Sequence, residues 1–153
     1  NRLAFDAALR KELDRGAEVL VAVSDLDGFK AANDDYGHHA GDAILAEVAR
    51  RLRAQAPGAL SIARLGGDEF ALVLPAGGNL PRAEEQLAQA RAVVARPYQC
   101  EGHALQIGMS LGLALSVADG TDPQQLLRRA DERLYADKAA RKGTAAPRTM
   151  QFG

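Results

Sequence analysis

At 153 residues with 47% apolar side chains, the chain is long enough for one domain with a real core and too apolar for a disordered tail. Its net charge of −1 argues against the basic face that nucleic-acid binding needs, and a single cysteine, Cys100, excludes an internal disulfide or a cysteine metal cluster. No apolar run approaches the ~18 residues of a membrane span. The single cysteine fits a reducing compartment, and a cytoplasmic domain is expected, with any membrane anchor elsewhere in a longer protein. The opening Asn1-Arg2-Leu3 reads as the middle of a chain, and residues 1–153 are expected to be a single domain excised from a larger protein.

Residues 2–15 place Leu3, Phe5, Ala8, Leu9 and Leu13 on a helical stripe that Gly16 ends. Val19-Leu20-Val21-Ala22-Val23 is continuous and β-branched, the pattern of a strand buried on both faces, and it runs into Ser24-Asp25-Leu26-Asp27-Gly28-Phe29-Lys30. Period 2 puts Asp25 and Asp27 on one side of the strand exit. Carboxylates at a core edge cost on the order of several kcal/mol of desolvation unless they are paired or metal-bound. Residues 29–36 form a short helix closed by Gly37. Residues 38–56 form a longer one, stopped by Pro57-Gly58, with Ala40, Ile44, Leu45, Val48, Ala49 and Leu52 inside.

Two short apolar runs, 60–63 and 70–74, flank Gly66-Gly67-Asp68-Glu69 and read as a β-hairpin. Adjacent acids are poor strand formers that repel each other. At a glycine tip they suit a hard cation beside phosphates that approach bare backbone. A helix from Pro81 to about residue 95 follows, with Leu87, Ala90, Val93 and Val94 inward. A small hairpin turns at Glu101-Gly102-His103, and residues 109–117 alternate as a second central strand. Asp122-Pro123 starts a last helix carrying Leu126, Leu127, Ala130, Leu134 and Tyr135 and ending near Gly143, with a final edge strand expected over residues 149–152. The fold class is α+β, a mixed sheet flanked by helices with the acidic motif on a central hairpin.

If the strand ending in Asp25/Asp27 pairs with the hairpin, its carboxylates meet Asp68 and Glu69, and a divalent metal is the natural counter-charge. Lys30 and the backbone amides of Gly28, Phe29 and Lys30 at a helix start would serve a phosphate there.

Arg-x-Gly-Gly-Asp-Glu-Phe at 64–70, preceded by Asp-x-Asp-x-Phe-Lys-x-x-Asn-Asp at 25–34, resembles the GGDEF family of diguanylate cyclases. Tyr36-Gly37-His38-His39-Ala40-Gly41-Asp42, Ser110-Leu111-Gly112-Leu113-Ala114 and Leu127 to Lys138 extend the resemblance over essentially the whole chain. It implies a palm-like sheet and an enzyme that condenses two GTP into cyclic di-GMP across a homodimer, releasing two pyrophosphates. By resemblance, Asp25 and Asp68, with the Leu26 carbonyl, hold Mg²⁺ (or Mn²⁺). Glu69 assists the metal or takes the proton of the attacking 3′-hydroxyl. Lys30 and Lys138 contact phosphates, joined by the Phe29 amide and the bare backbone of Gly67, while Asn33 and Asp42 read guanine. An upstream sensory or regulatory domain is the implied partner, and nucleic acid is not.

The tail departs from the family's usual Ala-Lys-x-x-Gly-Arg-Asn. Here it reads Asp137-Lys138-Ala139-Ala140-Arg141-Lys142-Gly143, with Lys142 at the arginine position as a further phosphate-binding cation. Many members carry Arg-x-x-Asp ahead of the hairpin as a product-inhibition site, but Pro57-Gly58-Ala59-Leu60 stands there, so no such site is expected. The plain readings are a brace for Arg64, a supporting role for Asp27, solvated or capping roles for His38, His39 and His103, a small half-buried Cys100, and a charged face for Arg128, Arg129 and Arg133. The alternative function is a silent GTP-binding module that regulates a neighbouring domain. Such members often show damage at the tip or the metal aspartate, and none is present here.

Overall fold

The β-branched run of β1 (Val19–Asp27) is buried from Val19 to Ser24, as a central strand requires. The computed structural model describes the backbone of residues 2–152 and the side chains of residues 2–141. Around β1 lie α1 (Arg2–Asp14), α2 (Phe29–Tyr36), α3 (His38–Gln55), β2 (Ser61–Gly66), β3 (Glu69–Pro75) and α4 (Leu80–Val94). Then follow β4 (Tyr98–Cys100), β5 (His103–Leu105), β6 (Gly108–Leu115), α5 (Ser116–Asp119) and α6 (Pro123–Phe152).

The main sheet has the order β2-β3-β1-β6, and β4 with β5 form a separate hairpin. Strands joined by helical crossovers, β1 with β2 and β3 with β6, run parallel but are separated by an intervening strand. Every hydrogen-bonded pair is therefore antiparallel. This is the expected helix-flanked α+β sheet.

Alternation along the strands decides which helix sits where. Val19, Val21, Val23, Ala71 and Val73 pack with Phe5, Leu9, Leu126, Leu127, Ala130 and Leu134, so α1 and α6 cover one face. Leu26, Phe70, Leu72 and Leu74 pack on the other face with residues of α2, α3 and α4. Arg51 ties α3 to the end of α4. It donates to the carbonyls of Val93, Arg96 and Pro97, and its guanidinium lies 3.8 Å over the Tyr98 ring. That arrangement satisfies carbonyls a helix end leaves open.

Four sequence expectations are corrected. Leu3 is 81% exposed rather than inward: at roughly 100° per residue it lies about 160° from Phe5, on the opposite side of α1. Tyr135 is 79% exposed because it stands about 100° from the buried Leu134. Strand β6 stops at Leu115, short of Val117. The Asp119 carboxylate accepts the Leu115 N–H at 2.9 Å and folds residues 116–119 into the short α5. Residues 149–152 continue α6 instead of forming an edge strand, as the helix-favouring Ala139, Ala140, Ala145 and Ala146 carry the helix past Gly143.

Helix α6 lies unusually close to β6 at one point. A Cβ on Gly112 would collide with the Ala130 carbonyl and the Leu134 backbone. These are backbone atoms, so relief requires moving the helix. We predict that Gly112→Ala lowers the unfolding free energy by about 1–3 kcal/mol in urea titrations, the usual cost of overpacking. Wild-type stability in that variant would contradict the contact.

Candidate functional site

The site grows from the register of β1 and β3. Asp25 stands opposite Glu69, and beyond the ladder the Leu26 N–H donates to the Asp68 carbonyl at 3.2 Å. N–H and C=O of one strand residue point to the same neighbour, so the Leu26 carbonyl also faces the hairpin. Asp25, Asp27 and Glu69 share the parity of Val23 and Ala71, hence the α6 face. The hairpin tip carries a register shift between Arg64 and Gly66, and Arg64 Nε donates to the Gly67 carbonyl at 2.8 Å. Arg64 is thus a brace of the turn.

Lys138 on α6 reaches this end of the sheet, its Nζ 3.1 Å from Asp25 Oδ2. That carboxylate raises the Lys138 pKa above its usual value. Asp27 accepts from Ser110 Oγ at 2.9 Å and lies 3.4 Å from Arg141 Nε, so it is held by β6 and α6 in a supporting position.

Burial pushes the Asp68 and Glu69 carboxyls above their ordinary range, and the Asp25 charge pushes both the same way. Burial likewise raises Asp131 on α6, against the pull of Arg2 and with the push of Asp25. Half-buried acids that repel one another call for a cation. Among the described residues no three His, Cys, Asp or Glu side chains close into a metal cage. Mg²⁺ does not need one, since it takes one or two carboxylates and completes its octahedron with water and phosphate oxygens. Asp25, Asp68 and the Leu26 carbonyl fit such an ion, with Glu69 beside them.

The second half of the site begins directly after Asp27. Gly28 caps α2 without any side-chain hydrogen bond, leaving Lys30 exposed in the first turn near the Phe29 amide. A Cβ on Gly41 would collide with Asn33 Oδ1 and stand 3.3 Å from the Phe29 ring, so the glycine lets both side chains pack against α3. Asp42 follows, exposed. His38 Nδ1 lies 3.4 Å from Asn33 Nδ2, a supporting contact rather than a ligand arrangement. His103 is exposed and its ring packs 5.7 Å from that of Tyr36, while Cys100 is half-buried and free. The Lys142 side chain lies outside the described residues.

Sequence reasoning missed Ser110, Asp131, Arg141 and Arg2. Ser110 was within reach, since period 2 on β6 puts it on the α6 face. Arg141 was also within reach, one helical turn beyond Lys138. Arg133, read as part of a charged face, bonds the Asp119 carboxylate and the Leu113 carbonyl at 2.8 Å.

A helix-flanked palm-like sheet with an acidic hairpin facing a lysine is the class these features define. The family profile described as "Diguanylate cyclase, GGDEF domain" matches residues 1–144. A crystal structure of a sensory box/GGDEF family protein from Caulobacter crescentus superposes with a TM-score of 0.82 at 42% identity, covering 92% of this chain and 93% of that one. The GGDEF domain of DgcB from the same species, solved in complex with c-di-GMP, gives 0.75 at 31% identity over 88% and 80%. The bifunctional diguanylate cyclase/cyclic di-GMP phosphodiesterase MucR of Pseudomonas aeruginosa is 40% identical over 143 residues, 90% of this chain and 21% of that protein. The chain belongs to the GGDEF family. It spans between about a sixth and a third of the length of the curated relatives it matches, 18% and 21% of the first two. Among the described residues no helix is long and apolar enough to cross a membrane.

Because Asp25 raises both neighbours, Asp25→Asn is expected to lower the apparent pKa of Asp68 and Glu69 in a carboxyl-carbon NMR titration. Unchanged midpoints would show that the three acids do not share a field.

Proposed function

We propose that the domain is an active diguanylate cyclase, joining two GTP molecules into cyclic di-GMP with release of two pyrophosphates. The observation that carries this reading is the convergence of Asp25, Asp68, Glu69 and Lys138 at one end of the sheet, directly before the start of α2, where Gly28 makes no side-chain capping bond. Phosphoryl transfer needs little beyond positioning and charge stabilisation. Mg²⁺ or Mn²⁺ held by Asp25, Asp68 and the Leu26 carbonyl would neutralise triphosphate charge.

Lys138, Lys30, the Phe29 amide and Lys142 bind phosphate oxygens in this reading, and Gly67 lets them approach the hairpin. Asn33 and Asp42 read guanine, the carboxylate accepting from N1–H and the 2-amino group, which adenine cannot satisfy. The raised pKa of Glu69 suits a group that takes the 3′-hydroxyl proton, although it could instead support the metal. Each domain holds one GTP, so two protomers face each other. The 3′-oxygen of one nucleotide bonds to the α-phosphorus of the other as its bond to the pyrophosphate oxygen breaks. We place the reaction in the cytoplasm, in a single domain over residues 1–153. The greater length of the relatives supports control by a further sensory or regulatory domain.

The test is incubation with GTP and Mg²⁺ at high protein concentration, with the product identified by mass spectrometry. Cyclic di-GMP is expected, and Asp68→Asn or Asp25→Asn should cut turnover at least about 100-fold with melting unchanged. Wild-type turnover in either variant overturns the site assignment. GTP binding without product in the wild type would favour the silent module.

Base choice is a separate prediction. Asp42→Ser should narrow the preference for GTP over ATP by about tenfold, the loss of one charged hydrogen-bond acceptor. An unchanged ratio in competition binding would remove Asp42 from the base pocket.

Feedback is a third. The turn at Pro57 and Gly58 and the half-exposed Leu60 offer neither guanidinium nor carboxylate. Calorimetry should therefore show no cyclic di-GMP binding once a GTP analogue saturates the active site. Micromolar binding that survives saturation would contradict this.

A further inference from the structure

We propose that Asp137, clasped by Arg91, is a positioning residue that sets the register in which α6 presents Lys138 to the acidic centre. The inference rests on the reading that Lys138 serves the nucleotide's phosphates.

Strand β6 is an edge of the sheet, and among the described residues its outward backbone groups have no neighbouring strand. Helix α6 supplies partners for them. Asp137 Oδ2 accepts the Leu111 N–H at 2.9 Å, and Arg133 Nη1 donates to the Leu113 carbonyl at 2.8 Å. The same Asp137 oxygen accepts from Arg91 Nη2 at 2.8 Å.

Arg91 belongs to α4, on the opposite face of the sheet from α6. The contact therefore wraps around the sheet edge and joins both helical layers to β6 at one carboxylate. Both side chains are about two-thirds buried, and among the described residues Arg91 Nε is buried with no hydrogen-bond partner, which leaves the Asp137 carboxylate as the charge paired with this guanidinium there.

Lys138 follows Asp137 immediately. On a helix the two point roughly 100° apart, one to the outer edge of β6 and one inward to Asp25. Any rotation or slide of α6 that moved Lys138 away from Asp25 would break the bond between Asp137 and Leu111. One fixed turn thus sets the reach of both Lys138 and Arg141. The close packing at Gly112 fixes α6 at Ala130 and Leu134, and Asp137 fixes it where the chemistry is.

The test is a double-mutant cycle read by calorimetric binding of a non-hydrolysable GTP analogue with Mg²⁺. Asp137→Ala is expected to weaken binding at least about fivefold in the wild-type background and less than about twofold in the Lys138→Met background. Asp137→Asn, which keeps an acceptor for the Leu111 N–H, should restore most of the affinity. It also keeps the test open if the alanine variant does not fold. Equal losses in both backgrounds, or a lowered melting temperature with unchanged analogue affinity, would make Asp137 purely structural and overturn the proposal. If Lys138→Met alone leaves binding unchanged, the assignment of Lys138 to the phosphates fails, and this inference falls with it.

Discussion

The antiparallel register between β1 and β3 is the constraint on which the rest depends. It sets Asp25 against Glu69 and brings the Leu26 backbone to Asp68. A slip of one residue would turn Val19, Val21 and Val23 to the other face and carry Asp25 and Asp27 with them. The buried apolar residues on both faces forbid that slip. The same hydrophobic pattern that stabilises the sheet therefore aims the carboxylates, and the acids need no separate device to converge.

The field at that end of the sheet is the second determinant. Asp25, Asp27, Asp68, Glu69 and Asp131 crowd a partly dry region, with Lys138, Arg141 and Arg2 drawn to it. Stability alone would favour apolar residues there, since replacing buried charges by packed hydrophobes is often neutral or better. The arrangement makes sense as a seat for charge that arrives with a substrate. Because α6 carries the lysine, the seat depends on how that helix is held, through Gly112 against its backbone and Asp137 at its outer side.

Much of this was legible in the sequence. The continuous run from Val19 to Val23, the glycine-tipped hairpin and the carboxylates at period 2 specify a central strand, a turn and a shared face, and the chain folds accordingly. Asn33 and Asp42 were marked by the resemblance, while the reason for Gly41 beside them appeared only once α2 was seen packed on α3. Leu3 and Tyr135 misled because an apolar residue near a helical stripe need not lie on it. The side chains that close the β6 edge were invisible for another reason. Asp137, Arg133 and Asp119 bond backbone groups of a strand that is remote in sequence for two of them, and periodicity does not report which helix lies over which edge. Arg51, which meets three carbonyls at the end of α4, was hidden in the same way.

The central claim is that Asp25 and Asp68 hold a cation at this register. A crystal of the domain grown with Mn²⁺ and a non-hydrolysable GTP analogue, measured at the manganese absorption edge, tests it most directly. The account predicts an anomalous peak bonded to both carboxylates and the Leu26 carbonyl, with Lys138 turned to a phosphate oxygen. Nucleotide bound with no manganese between β1 and the hairpin, or manganese held elsewhere, would contradict it.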